Sequence, residues 1–539
     1  MKVRDNYVLL LLLVCSAIFL INLDAIFVNI MEARNFITAR EMINFDHWIF
    51  TTMNNEARYE KPPLPTWMTA ISMFILGMKS LFALRLPAAI MGILSVFAVF
   101  KITEKLTANS RLSFTTGLVA ATSFYILLSG RDGQWDIFTH SFMLWAVYCL
   151  IGFFRKEKVW RNALIAGLLI GCSFLSKGTV SFYALLLPFL IAYWIVYRSK
   201  FSKASLFPFI SMLLIATVIA ASWSLYVYFF DYSDVTEITN REAGRWLDYN
   251  VRPFYYYWNF FIQSGLWTVL ALVSLIYPYL KNRVQNTEVY RFSWLWTIVA
   301  VILLSLIPEK KPRYLLPVLF PLAITTGLYL EYIFANFKKM HIKESWVLFF
   351  NYSLIALVGI AFPIAGTIYF GEKMANIWPW FLLLSLCLVT IAVLMIYFLR
   401  KKEIRQVFYL SIWFIISVLT FGLPMAQKIE VNPDFRSSET LSLYEADLGL
   451  KAYEFKNFTP ELIWEYGKPV PRLWDGKDFQ LPEASKFLLL ATEEETSEMK
   501  SVFSSYRIEK LDYIDMNPVG NKHKDRLFRN IYLIQKPTK

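Results

Sequence analysis

The sequence predicts an all-α polytopic membrane protein with about 13 transmembrane helices and a small C-terminal extramembrane α/β domain. Of its 539 residues, 57% are hydrophobic and 17% are aromatic, and the mean hydropathy is +0.44. A soluble chain does not need that much apolar surface. The apolar residues also form runs of about 20, the length with which a helix crosses a bilayer. Helices are required there because hydrocarbon offers backbone N–H and C=O groups no other partners.

Thirteen apolar runs are long enough to be crossings. They are predicted at 7–29, 82–103, 112–130, 136–154, 160–176, 179–197, 205–230, 258–280, 291–307, 314–335, 345–370, 378–400 and 406–425. The first run is too long for a cleaved signal peptide and lacks a small-residue cleavage site. A further run, 64–80, is short and begins among prolines, so we interpret it as a re-entrant or interfacial segment.

The positive charges predict how these crossings are oriented, because Lys and Arg collect in short cytoplasmic loops. With a cytoplasmic N-terminus, 13 crossings place six short basic loops inside, whereas counting 64–80 as a crossing would place all six outside. The net charge of +13 is therefore interpreted as a topology signal. No nucleic-acid partner is expected, since no nucleic-acid motif is present.

The same orientation predicts the domain organisation. Residues 1–425 form the transmembrane domain, with interfacial helices within 30–80 and an outer loop at 231–257. Residues 426–539 are polar and predict a soluble α/β domain, although a tail with no role of its own remains the alternative. Its two strand-like runs lie at 487–491 and 530–534. We expect the protein in a bacterial inner (plasma) membrane, surrounded by membrane lipids, with this domain in the periplasm.

Cysteine and histidine indicate no dedicated site. The 4 cysteines all fall inside predicted crossings, and their spacing suits neither zinc nor a disulfide framework. The 4 histidines are scattered, which argues against a multi-histidine metal centre.

Two carboxylates are candidate catalytic groups, because ionisable residues at membrane depth are costly. Glu32 lies just after the first crossing, at the start of a short helix predicted along the interface. Its alternative role is that of an ordinary glutamate favouring a helix N-terminus. Asp136 begins a crossing, where a simple helix cap is the alternative.

Basic residues on the predicted outer face are candidate phosphate ligands. Lys61 stands between Glu60 and a proline run that would hold it at the membrane boundary, with snorkelling as the alternative. A second basic cluster, formed by Lys310, Lys311 and Arg313, lies on the predicted outer face and so breaks the charge rule for cytoplasmic loops; phosphate is its natural ligand. The candidates there are Lys311, Arg313 and Tyr314, joined by Arg245 and Arg252 of the outer loop.

Together these groups predict an outer cavity with carboxylates near its top and cations near its base. A carboxylate can take the proton of an acceptor hydroxyl, and cations can stabilise the charge on a departing phosphate. This chemistry moves a sugar from a lipid phosphate to an acceptor. No nucleotide-binding fingerprint appears, which is consistent with a lipid-borne donor.

Six short motifs, each weak alone, occur together in this chain. They are Ala39-Arg40-Glu41-Met42, Glu60-Lys61-Pro62-Pro63-Leu64, Arg85-Leu86-Pro87, Leu175-Ser176-Lys177-Gly178, Pro253-Phe254-Tyr255-Tyr256-Tyr257 and Arg313-Tyr314-Leu315-Leu316-Pro317. Their order resembles the aminoarabinose transferase and protein O-mannosyltransferase superfamily, on the aminoarabinose-transferase side. The resemblance implies a GT-C fold, inversion at the anomeric carbon and a polyprenyl-phosphate sugar donor. The acceptor would be a lipid, a glycan or a protein.

The chain departs from this family at two positions. The family's first outer loop usually begins with an Asp-Glu pair whose Asp is the expected catalytic residue. Met31 stands at that position here, so Glu32 is the remaining candidate and Asp24 a less favoured one. Asn250 stands where the aminoarabinose transferases carry a histidine linked to a metal site. The sequence therefore predicts no definite cofactor; Glu60 would orient either Lys61 or a divalent cation, which is the candidate cofactor.

The predicted mechanism assigns Glu32 as general base or acceptor-positioning residue, supported by Asp136. Two other classes of protein remain. A lipid-linked sugar flippase would need cavities open to both faces, yet the unusual charged elements all fall on one predicted face. A catalytically inactive assembly relative would account for the missing Asp.

Overall fold

The computed structural model describes residues 3–199, 202–248, 250–429, 432–474, 476–518 and 523–537. For residues 3–5, 243, 245–248, 372 and 427 it describes the backbone alone. The chain divides into two compact units. We name them the membrane unit, Met1–Asp24 with Tyr59–Met425, and the mixed unit, Ala25–Arg58 with Ala426–Lys539.

Long apolar helices build the membrane unit. Within the described ranges, nine helices are long and apolar enough to cross a membrane. They are Leu81–Thr107, Asp136–Phe154, Val159–Lys177, Lys203–Phe230, Thr287–Leu306, Pro312–Lys339, Ile342–Phe370, Met374–Arg400 and Ile404–Ala426. Each coincides with a predicted crossing, so the helical membrane architecture is confirmed. The number of crossings stays a prediction.

The other four predicted crossings are helical but short or interrupted. They are Val3–Leu20; Ser110–Thr122 with Phe124–Ser129; the π-helical Phe182–Leu186 with Leu187–Tyr197; and the 3-10 segment Phe260–Trp267 with Thr268–Ser274 and Tyr277–Leu280. Shorter helices connect them: Leu64–Leu76, Tyr232–Asp248, Phe254–Tyr257 and Gly371–Lys373. At about 1.5 Å per residue, the 13 residues of Leu64–Leu76 are too short to cross the hydrocarbon core.

The first predicted crossing, 7–29, is helical only to Leu20. Two buried arginines satisfy the carbonyls at that end. Arg131 donates to the carbonyl oxygens of Ile18 at 2.6 Å and of Ile21 and Asn22 at 2.8 Å. Arg85 donates to the carbonyl of Leu23 at 2.9 Å. The helix therefore ends early because guanidinium groups replace the missing helical donors.

Two interrupted helices meet where they break. Ser123 is extended between Ser110–Thr122 and Phe124–Ser129, with φ −66° and ψ 124°. Gly265 has φ +64°, and a Cβ there would lie 2.8 Å from the Cβ of Phe124. Only glycine permits both that backbone conformation and that approach. The Trp267 indole donates to the Thr122 hydroxyl at 2.8 Å and closes the junction.

The mixed unit is an α/β domain. Its strands are β1 Thr52–Met53, β2 Glu56–Ala57, β3 Ala452–Glu454, β4 Lys486–Ala491, β5 Arg507–Asp515 and β6 Phe528–Gln535. Its helices are Ile30–Phe45, Glu439–Leu448, Pro460–Tyr466 and Thr496–Val502. The main sheet has the order β3-β4-β6-β5, with β3 and β4 parallel and the other pairs antiparallel. The small C-terminal sheet domain is therefore confirmed, including both predicted strands.

This sheet is covered on both faces. Alternate residues of β4 point to opposite sides, as strand geometry requires. Leu488 and Leu490 belong to the apolar cluster that contains Ile37 and Ile463, whereas Phe487 and Leu489 belong to the other cluster. Ile37 lies in helix Ile30–Phe45, which the sequence had assigned to the transmembrane domain. Residues 25–58 instead pack with the C-terminal segment, because this helix supplies part of the sheet's apolar cover.

Buried charges fasten helix Ile30–Phe45 within the mixed unit. Arg40 donates to the carbonyls of Ile463 and Trp464, both at 3.0 Å, at the end of helix Pro460–Tyr466. Burial lowers the pKa of Arg40 to about 10. Glu41 accepts from the Asn54 backbone N–H at 2.8 Å, in the tight turn between β1 and β2. The Ala39-Arg40-Glu41-Met42 motif is thus structural here.

The free energy of unfolding of the mixed unit should fall as pH rises from 4.5 to about 7. These two values are the ordinary pKa of Glu454 and its pKa in the folded protein. Burial raises this pKa, although Arg529 donates to the carboxylate at 3.0 Å and offsets part of the effect. The folded unit then holds a proton that the unfolded chain has released, so the stabilisation is complete at low pH and disappears as pH rises. The loss should approach roughly 3 kcal/mol.

Pulse proteolysis of purified protein across this pH range measures the effect. Glu454→Gln should flatten the slope, whereas the exposed control Glu498→Gln should keep it. An unchanged slope in Glu454→Gln would show that another group titrates.

Candidate active site

A buried ion pair joins two consecutive spans of the membrane unit. Asp136 is the first residue of Asp136–Phe154, and Lys177 is the last residue of Val159–Lys177. The Lys177 ammonium contacts the Asp136 carboxylate, and the two side chains are only 6% and 8% exposed. Each charge complements the dipole of its own helix end. The pair therefore fixes two helix ends at one level of the unit.

The Tyr314 ring lies beside two ammonium groups. The Nζ atoms of Lys177 and Lys311 are each 5.8 Å from the centre of this ring. Lys311 also forms an ion pair with Glu309. The Asp136–Lys177 pair and the 309–314 segment thus belong to one polar cluster, which also contains two of the predicted phosphate ligands.

An irregular but well-bonded backbone presents this segment. Lys310 is buried, and its ammonium donates to the carbonyls of Ile307 at 2.5 Å and Arg252 at 2.9 Å. The Tyr257 hydroxyl accepts from the Lys311 backbone N–H at 2.9 Å and lies 3.0 Å from the Lys311 carbonyl. Lys310 is one of the three cations on the predicted outer face, and these contacts show that it holds the backbone of this segment in place. The Pro-Phe-Tyr-Tyr-Tyr motif supplies Tyr257 for the same purpose.

Arg313, unlike Lys177, Lys310 and Lys311, is available to bind an anion. Within the described part of the chain, its guanidinium has no hydrogen bond or ion pair, and its Nε is buried. Its charge acts on both Asp136 and Lys177, and Lys61 also repels Lys177. A guanidinium without an acceptor in a cluster of paired charges is a site for an anion.

The segment before the proline run is tied to the outer loop. The Tyr59 hydroxyl donates to Asp231 at 2.5 Å. The Glu60 carboxylate accepts from Arg241 at 3.1 Å. Asp231 immediately precedes helix Tyr232–Asp248, and Arg241 lies within it. Two consecutive residues therefore position the backbone that continues into Lys61.

The membrane unit brings together most of the predicted site residues: Asp136, Lys61, Lys311, Arg313 and Tyr314. Arg252 is exposed, and the side chain of Arg245 lies outside the described residues.

Glu32 belongs to the mixed unit, where it forms a capping box with Asn29. Its carboxylate accepts from the Asn29 backbone N–H at 3.2 Å, and the Asn29 side chain accepts from the Glu32 N–H at 3.2 Å.

Sequence reasoning missed Lys177 as a site residue, although its motif was recognised. A lone cation ending an apolar run on the predicted outer face breaks the charge rule in the same way as the 310–313 cluster. That pattern could have identified it. Its carboxylate partner lies 41 positions earlier, so local sequence could not reveal the pair.

Comparisons with known proteins agree with this architecture. A family model described as dolichyl-phosphate-mannose-protein mannosyltransferase matches residues 60–226. Over 359 residues the chain is 25% identical to an undecaprenyl phosphate-alpha-4-amino-4-deoxy-L-arabinose arabinosyl transferase 2 of Pseudomonas fluorescens (strain Pf0-1), covering 64% of this chain. These matches agree with the predicted resemblance to the aminoarabinose transferase and protein O-mannosyltransferase superfamily. The match spans 61% of that relative's length, and a match to the corresponding transferase of Shewanella sediminis, at 25% identity over 56% of this chain, spans 55%.

A solved structure shows the same fold. ArnT from Cupriavidus metallidurans bound to undecaprenyl phosphate superposes with a TM-score of 0.68, at 16% identity and over 98% of both chains. The apo form of that protein gives the same TM-score at 14% identity. At this identity the match establishes the GT-C fold. The predicted fold class is therefore confirmed.

Replacing Asp136 with Asn should destabilise the membrane unit, because Lys177 would stay buried without a counter-charge. Breaking one partner of a buried pair costs about 3–5 kcal/mol. The double variant Asp136→Asn, Lys177→Met should recover much of that loss, since Met fills the space of the lysine stem. Thermal unfolding followed by tryptophan fluorescence measures both. If Asp136→Asn were as stable as wild type, the ion pair would not contribute to the stability of the membrane unit.

Proposed function

We propose that this protein is an inverting glycosyltransferase that moves a sugar from a polyprenyl-phosphate carrier to a lipid, glycan or protein acceptor. The observation that carries the proposal is the Arg313 guanidinium, which has no hydrogen bond or ion pair in the described part of the chain and lies against the same Tyr314 ring as the paired Lys177 and Lys311. This cluster fits one phosphate. The relatives' names, which specify undecaprenyl-phosphate sugar donors, and the ArnT fold support the same chemistry.

The cationic cluster acts on the leaving group. Arg313 binds the carrier phosphate directly, since a guanidinium matches phosphate oxygens in a bidentate way. Lys61 and Lys311 add positive charge, and the Tyr314 hydroxyl is a further donor. These groups stabilise the negative charge that grows on the phosphate as the bond to the sugar breaks.

One displacement accounts for inversion. An acceptor hydroxyl oxygen forms a bond to the anomeric carbon as the bond from that carbon to the phosphate oxygen breaks. The electron pair of the broken bond leaves on the carrier phosphate. The acceptor proton passes to a carboxylate, for which Glu32 is the proposed general base. Asp136 supports the step by holding Lys177 in place.

The expected orientation places this reaction at the outer face of a bacterial inner membrane. A cytoplasmic N-terminus and a periplasmic C-terminal domain follow from the six basic loops. A polyprenyl-linked donor suits that location, because nucleotide sugars are made inside the cell while the carrier lipid can present its sugar outside.

A transfer assay with purified protein tests the proposed function. Radiolabelled polyprenyl-phosphate sugars are incubated with a lipid extract, glycans and envelope proteins of the host. Label should move into one acceptor class with wild type and not with Arg313→Ala. Failure of every donor, with carrier lipid still bound, would favour a transporter or an inactive relative.

Arg313→Ala should weaken binding of undecaprenyl phosphate by about 10- to 100-fold, the effect of losing charged hydrogen bonds worth about 1.5–3 kcal/mol. Arg313→Lys should retain part of the affinity, because it keeps a point charge without the planar fork. Native mass spectrometry with titrated lipid measures both. Lys373→Gln, which removes an exposed cation outside the cluster, is the control. Equal binding by wild type and Arg313→Ala would contradict the assignment.

Glu32→Gln should separate catalysis from helix capping, because glutamine also completes a capping box. We expect this variant to keep the wild-type melting temperature while turnover falls by about 100-fold or more. Glu32→Ala should lose both turnover and about 1 kcal/mol of stability. Calorimetry and the transfer assay give the two readouts. Full turnover in Glu32→Gln would restrict Glu32 to its structural role.

A further inference from the structure

The partner of Glu60 is an arginine. The Oε1 atom of Glu60 lies 3.1 Å from a terminal nitrogen of Arg241, in helix Tyr232–Asp248. The side chains are 23% and 45% exposed, so the pair lies at the edge of the unit. Its neighbour Tyr59 binds Asp231 at the start of the same helix. The pair therefore sits one residue from Lys61, a proposed phosphate ligand.

The residues around Glu60 do not fit a resident divalent cation. An ion that the protein holds by itself requires several oxygen or imidazole ligands from the chain. Across the described ranges, no group of three His, Cys, Asp or Glu residues is close enough to hold one. Asn250, at the position of the family's histidine, adopts φ +54°, and its carbonyl accepts the Lys310 N–H at 3.1 Å. An uncharged amide at that position is a weak substitute for an imidazole ligand.

We propose that Arg241 takes the place of a divalent cation as the counter-charge of Glu60, so that transfer needs no bound metal ion. This inference rests on the proposed function. A guanidinium already bound to the carboxylate repels a second cation at the same group. The other oxygen, Oε2, is buried and has no hydrogen-bond partner among the described residues. It suits a neutral donor, such as a hydroxyl of the substrate.

Arg241 acts as a positioning residue. Its contact with Glu60 and the contact of Tyr59 with Asp231 hold residues 59 and 60 from one helix. The backbone of Lys61 is thereby fixed without a metal ligand. Loss of Arg241 should loosen Lys61 and weaken donor binding, whereas a lysine at position 241 should restore part of the effect because it keeps the positive charge.

Metal analysis of the full-length wild-type protein is the first test. Protein purified without chelator should contain far less than one divalent ion per chain by inductively coupled plasma mass spectrometry. Its melting temperature should not change with added Mg²⁺, Mn²⁺ or Zn²⁺, and transfer should be equal with and without EDTA. A stoichiometric metal, or transfer lost in EDTA and restored by one of these ions, would overturn the inference.

Variants give the second test. Arg241→Gln should raise the donor KM by about tenfold, the effect of one charged contact; Arg241→Lys should recover part of it, and Lys373→Gln should leave it unchanged. A wild-type donor KM in Arg241→Gln would overturn the positioning role. If wild type transfers nothing from any donor, the proposed function fails, and metal content with thermal shift still decides this inference.

Discussion

A charge buried at the boundary of a membrane needs a partner, and this constraint organises the membrane unit. Asp136 pairs with Lys177, and Lys310 is surrounded by carbonyl oxygens. Arg131 uses backbone carbonyls to end the first helix. Arg313 is the exception among these cations, since no described residue forms a hydrogen bond or an ion pair with its guanidinium. The proposed site is therefore centred on a cation that can accept an anion from outside the chain.

The backbone around this charge departs from regular helix, which is costly in a membrane unless each polar group is satisfied. In this chain, side chains satisfy those polar backbone groups. Lys310 and Tyr257 bind the carbonyls and the N–H of the 307–311 segment, so the segment stays ordered without forming helix. The next span, Pro312–Lys339, begins directly after this segment and carries Arg313 in its first turn. The contacts that order the loop thus also leave the Arg313 guanidinium available for an anion.

The sequence predicted those features of the fold that depend on local sequence patterns. The apolar runs located the nine long helices of the described ranges, and the composition change after residue 425 located the sheet domain. The sequence also singled out Asp136 and Arg313, which lie in one polar cluster of the structure, because charges at the ends of apolar runs are conspicuous. The breaks at Ser123 and Gly265 were not found, since they depend on packing between distant segments. The structural role of Lys310 was not predicted either, because its carbonyl partners cannot be recognised in the sequence.

The proposed function depends most on where the carrier phosphate binds. A cryo-electron microscopy structure of the protein with undecaprenyl phosphate locates it directly. We predict phosphate oxygens within hydrogen-bond distance of the Arg313 guanidinium, with the Asp136–Lys177 pair intact. A phosphate bound away from Arg313, with that guanidinium still unoccupied, would contradict it.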